Sequence, residues 1–258
     1  MTIYHYSGAG NNFVVLDARA ELPQINVRAL CEQFHTDGLM LLKSNSLYDF
    51  EMVFYNPDGS SGMMCGNGGR CIVAFAALLG IKPQHDGIYE FLAADGKHCA
   101  KILQASEDLK ECTVKLKMID VQEFRPSLDG GWFLNTGTRH YVRFVQDVEA
   151  IDIDMEGPRY RHDPEFAPEG VNVNFVQQLG NAHIKVRTFE KGVEGETLAC
   201  GTGITASAIA SSLQSGKSEH YLVEARRNTL EVDFHTEGKQ FTEVYLTGPT
   251  ELLDKIEL

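Results

Sequence analysis

The chain has 258 residues, 43% hydrophobic and 23% charged, which supplies a sizeable core and excludes a disordered or fibrous architecture. With 36 acidic against 23 basic residues the net charge is −13, a field that repels polyanions, so no nucleic acid and no anionic membrane is expected as a partner. The N-terminal residues carry no basic segment followed by an apolar one, and no run approaches the roughly 18 apolar residues of a membrane span, so a cytoplasmic protein is expected.

In chain order, GAGNNF (Gly8–Phe13) looks like half of a dinucleotide fingerprint, but FVVLDA (Phe13–Ala18) after it has a strand pattern where that motif needs a helix, and the reading fails. VRALCEQFH (Val27–His35) predicts a short outer helix, DFEMVFYN (Asp49–Asn56) a strand, and PDGSSG (Pro57–Gly62) a turn. MCGNGGRCIVAFAALLG (Met64–Gly80) predicts a helix that is apolar all round and therefore buried, closed by a glycine. Strands follow at Ile88–Ala94 and Glu111–Met118, with Asp95-Gly96 as a hairpin turn, and SLDGGW (Ser127–Trp132) marks the approach to a second half. That half repeats the grammar: strands at Val171–Leu179 and His183–Glu190, a buried helix in ACGTGITASAIASSLQSG (Ala199–Gly216), and strands at Leu230–Thr236 and Thr242–Gly248.

The Cys-Gly-x-Gly openings of the two buried helices are 135 residues apart, close to half the chain, as an internal duplication would give. The pattern predicts two pseudo-equivalent halves, in each of which strands wrap around one buried central helix. A cysteine at a helix start faces unsatisfied N–H groups and about half a positive charge, which favours thiolate and can also hold a carboxylate. Two such cysteines, Cys65 and Cys200, suggest matched acid–base groups around one bound anion, as needed to take a proton from one face of an α-carbon and return one to the other. That chemistry needs no cofactor. The two sulfurs are expected to approach one another across a cleft between the domains. Cys31, Cys71, Cys99 and Cys112 read as buried small hydrophobes; no C-x-x-C pair is present, and His98 beside Cys99 lacks a second clustered pair, so no metal is expected.

MCGNGGRC and FEKGVEGETLACGTG resemble the two active-site signatures of the diaminopimelate epimerase family. GAGNNF, TDGLMLL, FYNPDGS, EGVNVNFV and TGPTEL resemble further elements of that family in the same order. The resemblance implies a cofactor-independent isomerase that converts LL-2,6-diaminopimelate to the meso form in amino-acid biosynthesis. It implies an α+β fold of two pseudo-symmetric domains, each a barrel-like sheet around a central helix, at 1–120 plus 250–258 and at 121–249, because the last strand returns to the first domain. Cys65 and Cys200 would be the acid–base pair, with His140 and Glu190 tuning the thiols. Gly66, Asn67, Gly201 and Thr202 would hold the carboxylate at the reacting carbon. Asn11, Asn56, Thr138, Asn172, Glu190 and Lys191 would complete the substrate site.

Three departures stand out. Thr138 replaces an asparagine, Lys191 replaces an arginine whose two-pronged grip on a carboxylate an ammonium cannot copy, and the turn before Asp37-Gly38 is shortened. Arg139 and Arg70 are the other basic residues near the motifs, Arg70 read as facing solvent or a backbone carbonyl. The segment ELLDKIEL lacks a tyrosine associated with dimer packing, although a homodimer is compatible with the family. The nearest alternative is a racemase of another amino acid with an altered distal pocket; a thiol redox protein or small-anion-binding module is the alternative of another class.

Overall fold

The computed structural model describes residues 1–257 except Met63, Leu128 and Lys217. Leu128, in the turn-rich approach to the second half, and Leu258, at the end of ELLDKIEL, therefore lie outside the described residues. The chain divides into two compact units, one formed by Met1–Lys117 with the C-terminal segment from Thr247, the other by Met118–Leu246.

In the first unit β1 (Thr2–Gly8) and β2 (Asn11–Asp17) form a hairpin, followed by α1 (Val27–Phe34), β3 (Leu39–Lys43) and β4 (Phe50–Tyr55). Then come α2 (Gly66–Leu78), β5 (Ile88–Ala93), β6 (Gly96–Ala105) and β7 (Glu111–Lys117). Each strand pairs with the next, β2–β3 and β4–β5 in parallel and the others antiparallel. The end of the last strand closes the ring by pairing with both β7 and β1. Closure of eight strands removes exposed sheet edges. The first eleven residues of α2, Gly66 to Ala76, are all buried, as a helix apolar on every face requires. Outside lies α1, capped by Asn26 and sharing a cluster with Ile3, Val14, Leu16 and Leu39 through Leu30 and Cys31.

The second unit repeats this succession. After β8 (Phe124–Pro126), β9 (Trp132–Asn135) and β10 (Arg139–Val145) form the hairpin, α3 (Ile153–Arg161) stands where α1 stood, and β11 (Asn172–Gly180) and β12 (His183–Glu190) follow. The short β13 (Gly195–Thr197) is an addition; then come α4 (Gly201–Ser215), β14 (His220–Glu224), β15 (Thr229–Glu237) and β16 (Gln240–Glu257), whose later residues belong to the first unit. Again the second and third strands of the repeat, and the fourth and fifth, run parallel. Backbone bonds from Met118 and Val121 to β16 join the two ends of this sheet. Gly201 and Gly203–Ser212 of α4 are buried.

The eight strands expected from pattern are present, while β1, β3, β6, β8, β9, β10, β13 and β14 were not anticipated. Several of these are short or lack clean alternation: β3, LMLLK, is buried at four successive positions and reads as an undirected apolar run. Pairing of Ala93 with Gly96 puts Ala94 and Asp95 in the hairpin turn, one residue before the expected pair, with Gly96 at φ 124°. Cys31, Cys71 and Cys112 are buried thiols, as read; Cys99 is only half-buried, on β6.

Candidate active site

Each unit gathers polar side chains around the start of its buried helix. Cys65 is the N-cap of α2 with extended backbone (φ −105°, ψ 128°), and the helical ladder begins when Gly69 N–H donates to the Cys65 carbonyl at 2.7 Å. Cys200 is the N-cap of α4 (φ −105°, ψ 109°), and Ile204 N–H donates to its carbonyl at 2.8 Å. In both cases the amides of the first turn are donors that the ladder does not use, aimed along the positive end of the helix. The duplication extends to backbone conformation at the reactive residue.

Around Cys65 the side chains form a polar chain. Asn67 is buried, and its Nδ2 donates to Asn11 Oδ1 at 2.6 Å, while Arg70 Nη2 donates to Asn67 Oδ1 at 2.8 Å. Arg70 is fully buried rather than facing solvent, and its Nη1 donates to the Gly66 carbonyl at 3.2 Å. Burial lowers its guanidinium to about 10, which leaves it a cation at neutral pH, while burial holds the neighbouring Cys71 as a neutral thiol. Asn56 follows β4, where its Nδ2 donates to Ser60 Oγ at 3.0 Å within the turn.

Around Cys200 the partners differ. Thr202 Oγ1 is 3.4 Å from Cys200 Sγ and 2.9 Å from His140 Nε2; Thr138 Oγ1 is 2.8 Å from the same nitrogen and 3.1 Å from Thr202 Oγ1. His140 has no exposure, and burial drives it down to about 3, so it is neutral. Asn172 holds the rim: its Nδ2 donates to Thr138 Oγ1 and to the Arg139 carbonyl, and its Oδ1 accepts from the Lys191 amide at 2.8 Å. Glu190 ends β12 and Lys191 is exposed just beyond it. Arg139 is engaged by the Glu169 carboxylate and lies over the Phe133 ring, so its charge already has a counter-ion.

Thus Asn11, Cys65, Gly66 and Asn67 meet at one helix start, and Thr138, His140, Asn172, Cys200, Gly201 and Thr202 at the other. Sequence reasoning missed Asn174 and Thr188, which lie beneath His140, and the buried Arg187. Arg187 grips Glu196 of β13 through two bonds of 2.7 Å and also donates to the Val148 and Ile151 carbonyls, which fixes the strand leading towards Cys200. The polar residue at alternate positions of β11, Asn172 and Asn174, was the available signal, since a buried amide needs dedicated partners. Among the described residues no cluster of three or more His, Cys, Asp or Glu could hold a metal, and no helix is long and apolar enough to cross a membrane.

The whole chain is similar in fold to a PhzF-family phenazine biosynthesis protein of Bacillus anthracis (TM-score 0.73, 14% identity, 98% of that chain). A probable proline racemase of Agrobacterium radiobacter also covers it (TM-score 0.68, 16% identity, 92% of that chain). The family model described as diaminopimelate epimerase matches residues 3–105 and 132–253. The diaminopimelate epimerase of Flavobacterium psychrophilum is 39% identical over 98% of both chains, and that of Chlorobaculum tepidum 40% identical over 94% of this chain and 95% of its own. With a family model spanning most of its length and relatives of this similarity, the chain belongs to the diaminopimelate epimerase family.

Proposed function

We propose that the protein is an isomerase that converts LL-2,6-diaminopimelate to the meso form with Cys65 and Cys200 as its two proton carriers. The observation that supports this most is the repeated Cys-capped buried helix, one in each unit, with the same extended backbone at the thiol. Inversion at an α-carbon needs a base for one face and an acid for the other, and a thiolate and a thiol exchange these roles when the direction reverses. The thiolate takes the α-proton, the electron pair moves towards the substrate carboxylate, and the other thiol delivers its proton to the opposite face. Amides at Gly66, Asn67, Gly201 and Thr202 stabilise the carboxylate as its charge grows.

His140 acts on Cys200 through Thr202 rather than by touching substrate, and Glu190 is assigned to the second tuning role. Asn11, Asn56, Thr138 and Asn172 shape the pocket, and Lys191 draws the distal carboxylate by charge. The chemistry calls for no cofactor. The reading extends to a cytoplasmic enzyme of lysine biosynthesis acting on a small amino acid, with a homodimer as the assembly to be tested by light scattering.

Exchange of α-protons in deuterated water tests the assignment. Diaminopimelate should exchange and epimerise faster than any member of a panel of monocarboxylic amino acids. Faster exchange in a monocarboxylic amino acid would establish the alternative racemase.

A further inference from the structure

Beneath His140 lies a fully buried amide, Asn174, that the reaction as proposed does not use. Its Nδ2 is 3.2 Å from the Tyr141 carbonyl, and its Oδ1 accepts from Thr188 Oγ1 at 3.0 Å. A carbonyl only accepts, so the amide orientation is fixed: the opposite flip would press two oxygens together. The same Nδ2 is 3.0 Å from His140 Nδ1, which must then be the acceptor. A neutral imidazole carries one N–H, and with Nδ1 accepting, that hydrogen is on Nε2.

The direction of the remaining bonds follows. His140 Nε2 is within 2.9 Å of two hydroxyl oxygens, Thr138 Oγ1 and Thr202 Oγ1. Thr138 Oγ1 also accepts from Asn172 Nδ2 at 3.3 Å. Thr202 Oγ1 thus takes a hydrogen from His140 or Thr138 and keeps its own to direct at Cys200 Sγ, 3.4 Å away. The Thr202 carbonyl is pinned separately by Thr136 Oγ1 at 2.9 Å. Close packing secures the arrangement: a Cβ at Gly203 would stand 2.3 Å from Asn174 Oδ1 and 3.3 Å from both Cys200 Cβ and His140 Cε1.

We propose that Asn174 is a positioning residue that holds His140 in its Nε2–H tautomer, so that Thr202 presents its hydroxyl hydrogen to the Cys200 sulfur. The proposal rests on the reading of Cys200 as one of the two proton carriers. His140 is then a fixed hydrogen-bond donor in this half-site and cannot accept the thiol proton at Nε2. The thiolate of Cys200 gains a neutral donor without a buried cation.

Protein labelled with ¹⁵N-histidine and studied by long-range ¹H–¹⁵N correlation at neutral pH reads the tautomer directly, with a His140→Gln spectrum for assignment. Nε2 should be protonated and Nδ1 not; a proton on Nδ1, or on both nitrogens, overturns the proposal. Asn174→Asp should invert the tautomer and lower kcat at least ~10-fold with KM nearly unchanged. Inversion with wild-type kcat overturns the role of the tautomer. If that variant does not fold, Thr202→Val and Thr202→Ser decide it: kcat should fall in the first and return in the second, and equal kcat in both overturns the relay. The spectrum needs no substrate, so an unexpected substrate in the exchange assay leaves the tautomer result standing.

Discussion

The two cysteine-headed helix starts share a backbone and differ in their electrostatics. Residues two beyond each cysteine, Asn67 and Thr202, both reach to the hairpin that opens their unit, meeting Asn11 and Thr138 respectively. Residues five beyond, Arg70 and Thr205, both donate to the carbonyl of the residue that follows the cysteine, Gly66 and Gly201. Yet the first half buries a guanidinium near its thiol, whereas the second surrounds its thiol with hydroxyls and a neutral imidazole. Where the second unit has His140, two residues after Thr138, the first has Phe13, two after Asn11, packed edge-on against Phe54. Duplication preserved the helix start and let the surrounding charge diverge, so the two thiols are not interchangeable.

The sharpest break of this comparison is removal of either sulfur. Cys65→Ala and Cys200→Ala should each abolish turnover, because a two-base inversion needs both carriers, and Ser replacements should be nearly as damaging since a hydroxyl is a far weaker acid. Cys112→Ala, buried in the first unit away from a helix start, should retain activity. Measured kcat in a Cys200→Ala variant near that of the wild type would remove the mechanism.

A second effect belongs to the second half alone. His140 titrates at 6.5 when unfolded and only near 3 when folded, so below pH 6.5 the unfolded chain binds the extra proton. Its contribution to stability is therefore constant above pH 6.5 and falls as pH drops towards about 3, by roughly 1.4 kcal/mol per unit and up to about 5 kcal/mol in all. The groups around the ring are Asn174, Thr138 and Thr202, all uncharged. Denaturant titrations should show a shallower loss of stability between pH 6.5 and 4 in His140→Gln than in wild type; parallel slopes would mean the ring titrates normally.

How much of this was legible beforehand depends on whether a residue's partners lie near it in sequence. The cysteine-headed helices declared themselves through local composition: glycines at the start, Ala and Ile through the body, no proline. The barrel around them was legible as strands with period two, but not at β3, buried at four successive positions, or at β9, only four residues long. Candidate site residues were assigned where a motif names them. Asn174 was invisible as a functional residue because its meaning lies in contacts with His140 and Thr188, 34 and 14 residues away. Of the two readings of Arg70, solvent or a backbone carbonyl, the second holds through Gly66, but its full burial was not legible, because arginine is rarely fully buried and only the packed helix around it shows that Nη1 and Nη2 donate to Gly66 and Asn67.

The difference at the fifth residue can be tested directly. Arg70→Met replaces a buried cation by a shorter apolar chain and should change stability by under about 2 kcal/mol, since such charges are costly to bury. It should nevertheless lower kcat about 10-fold, because Asn67 loses the donor that orients its amide towards Asn11. Thr205→Val should alter kcat little, as its hydroxyl only back-bonds to the helix. Equal effects in the two variants would mean the halves differ in sequence but not in function. A smaller structural contrast is expected from Gly8→Ala and Gly203→Ala. Each new Cβ would overlap a neighbour, Asn67 O at 2.7 Å or Asn174 Oδ1 at 2.3 Å, at a cost of about 1–3 kcal/mol in denaturant unfolding. Only the second should also disturb the His140 tautomer.

The smallest effect concerns the rim of the second half, where the sequence departs from its family. On the proposed function Lys191 and Arg139 are the cations that would meet a distal carboxylate, and Glu169 stands among them: its own backbone amide, the Arg139 hydrogen bond and the charge of Lys191 hold its carboxyl below the usual range. On that reading a substrate carboxylate would compete with Glu169 for the two cations. Glu169→Gln removes the competitor while keeping its shape, so KM for diaminopimelate should fall a few-fold, about the effect of one solvent-exposed charge. Lys191→Met should raise KM and Lys191→Arg preserve it, with kcat steady in both, because the distal grip sets binding rather than proton transfer. A monocarboxylic amino acid supplied as substrate should show none of these shifts. If its KM moves in step with that of diaminopimelate, Glu169 tunes the reacting end of the site, and the rim cations do not read the second carboxylate.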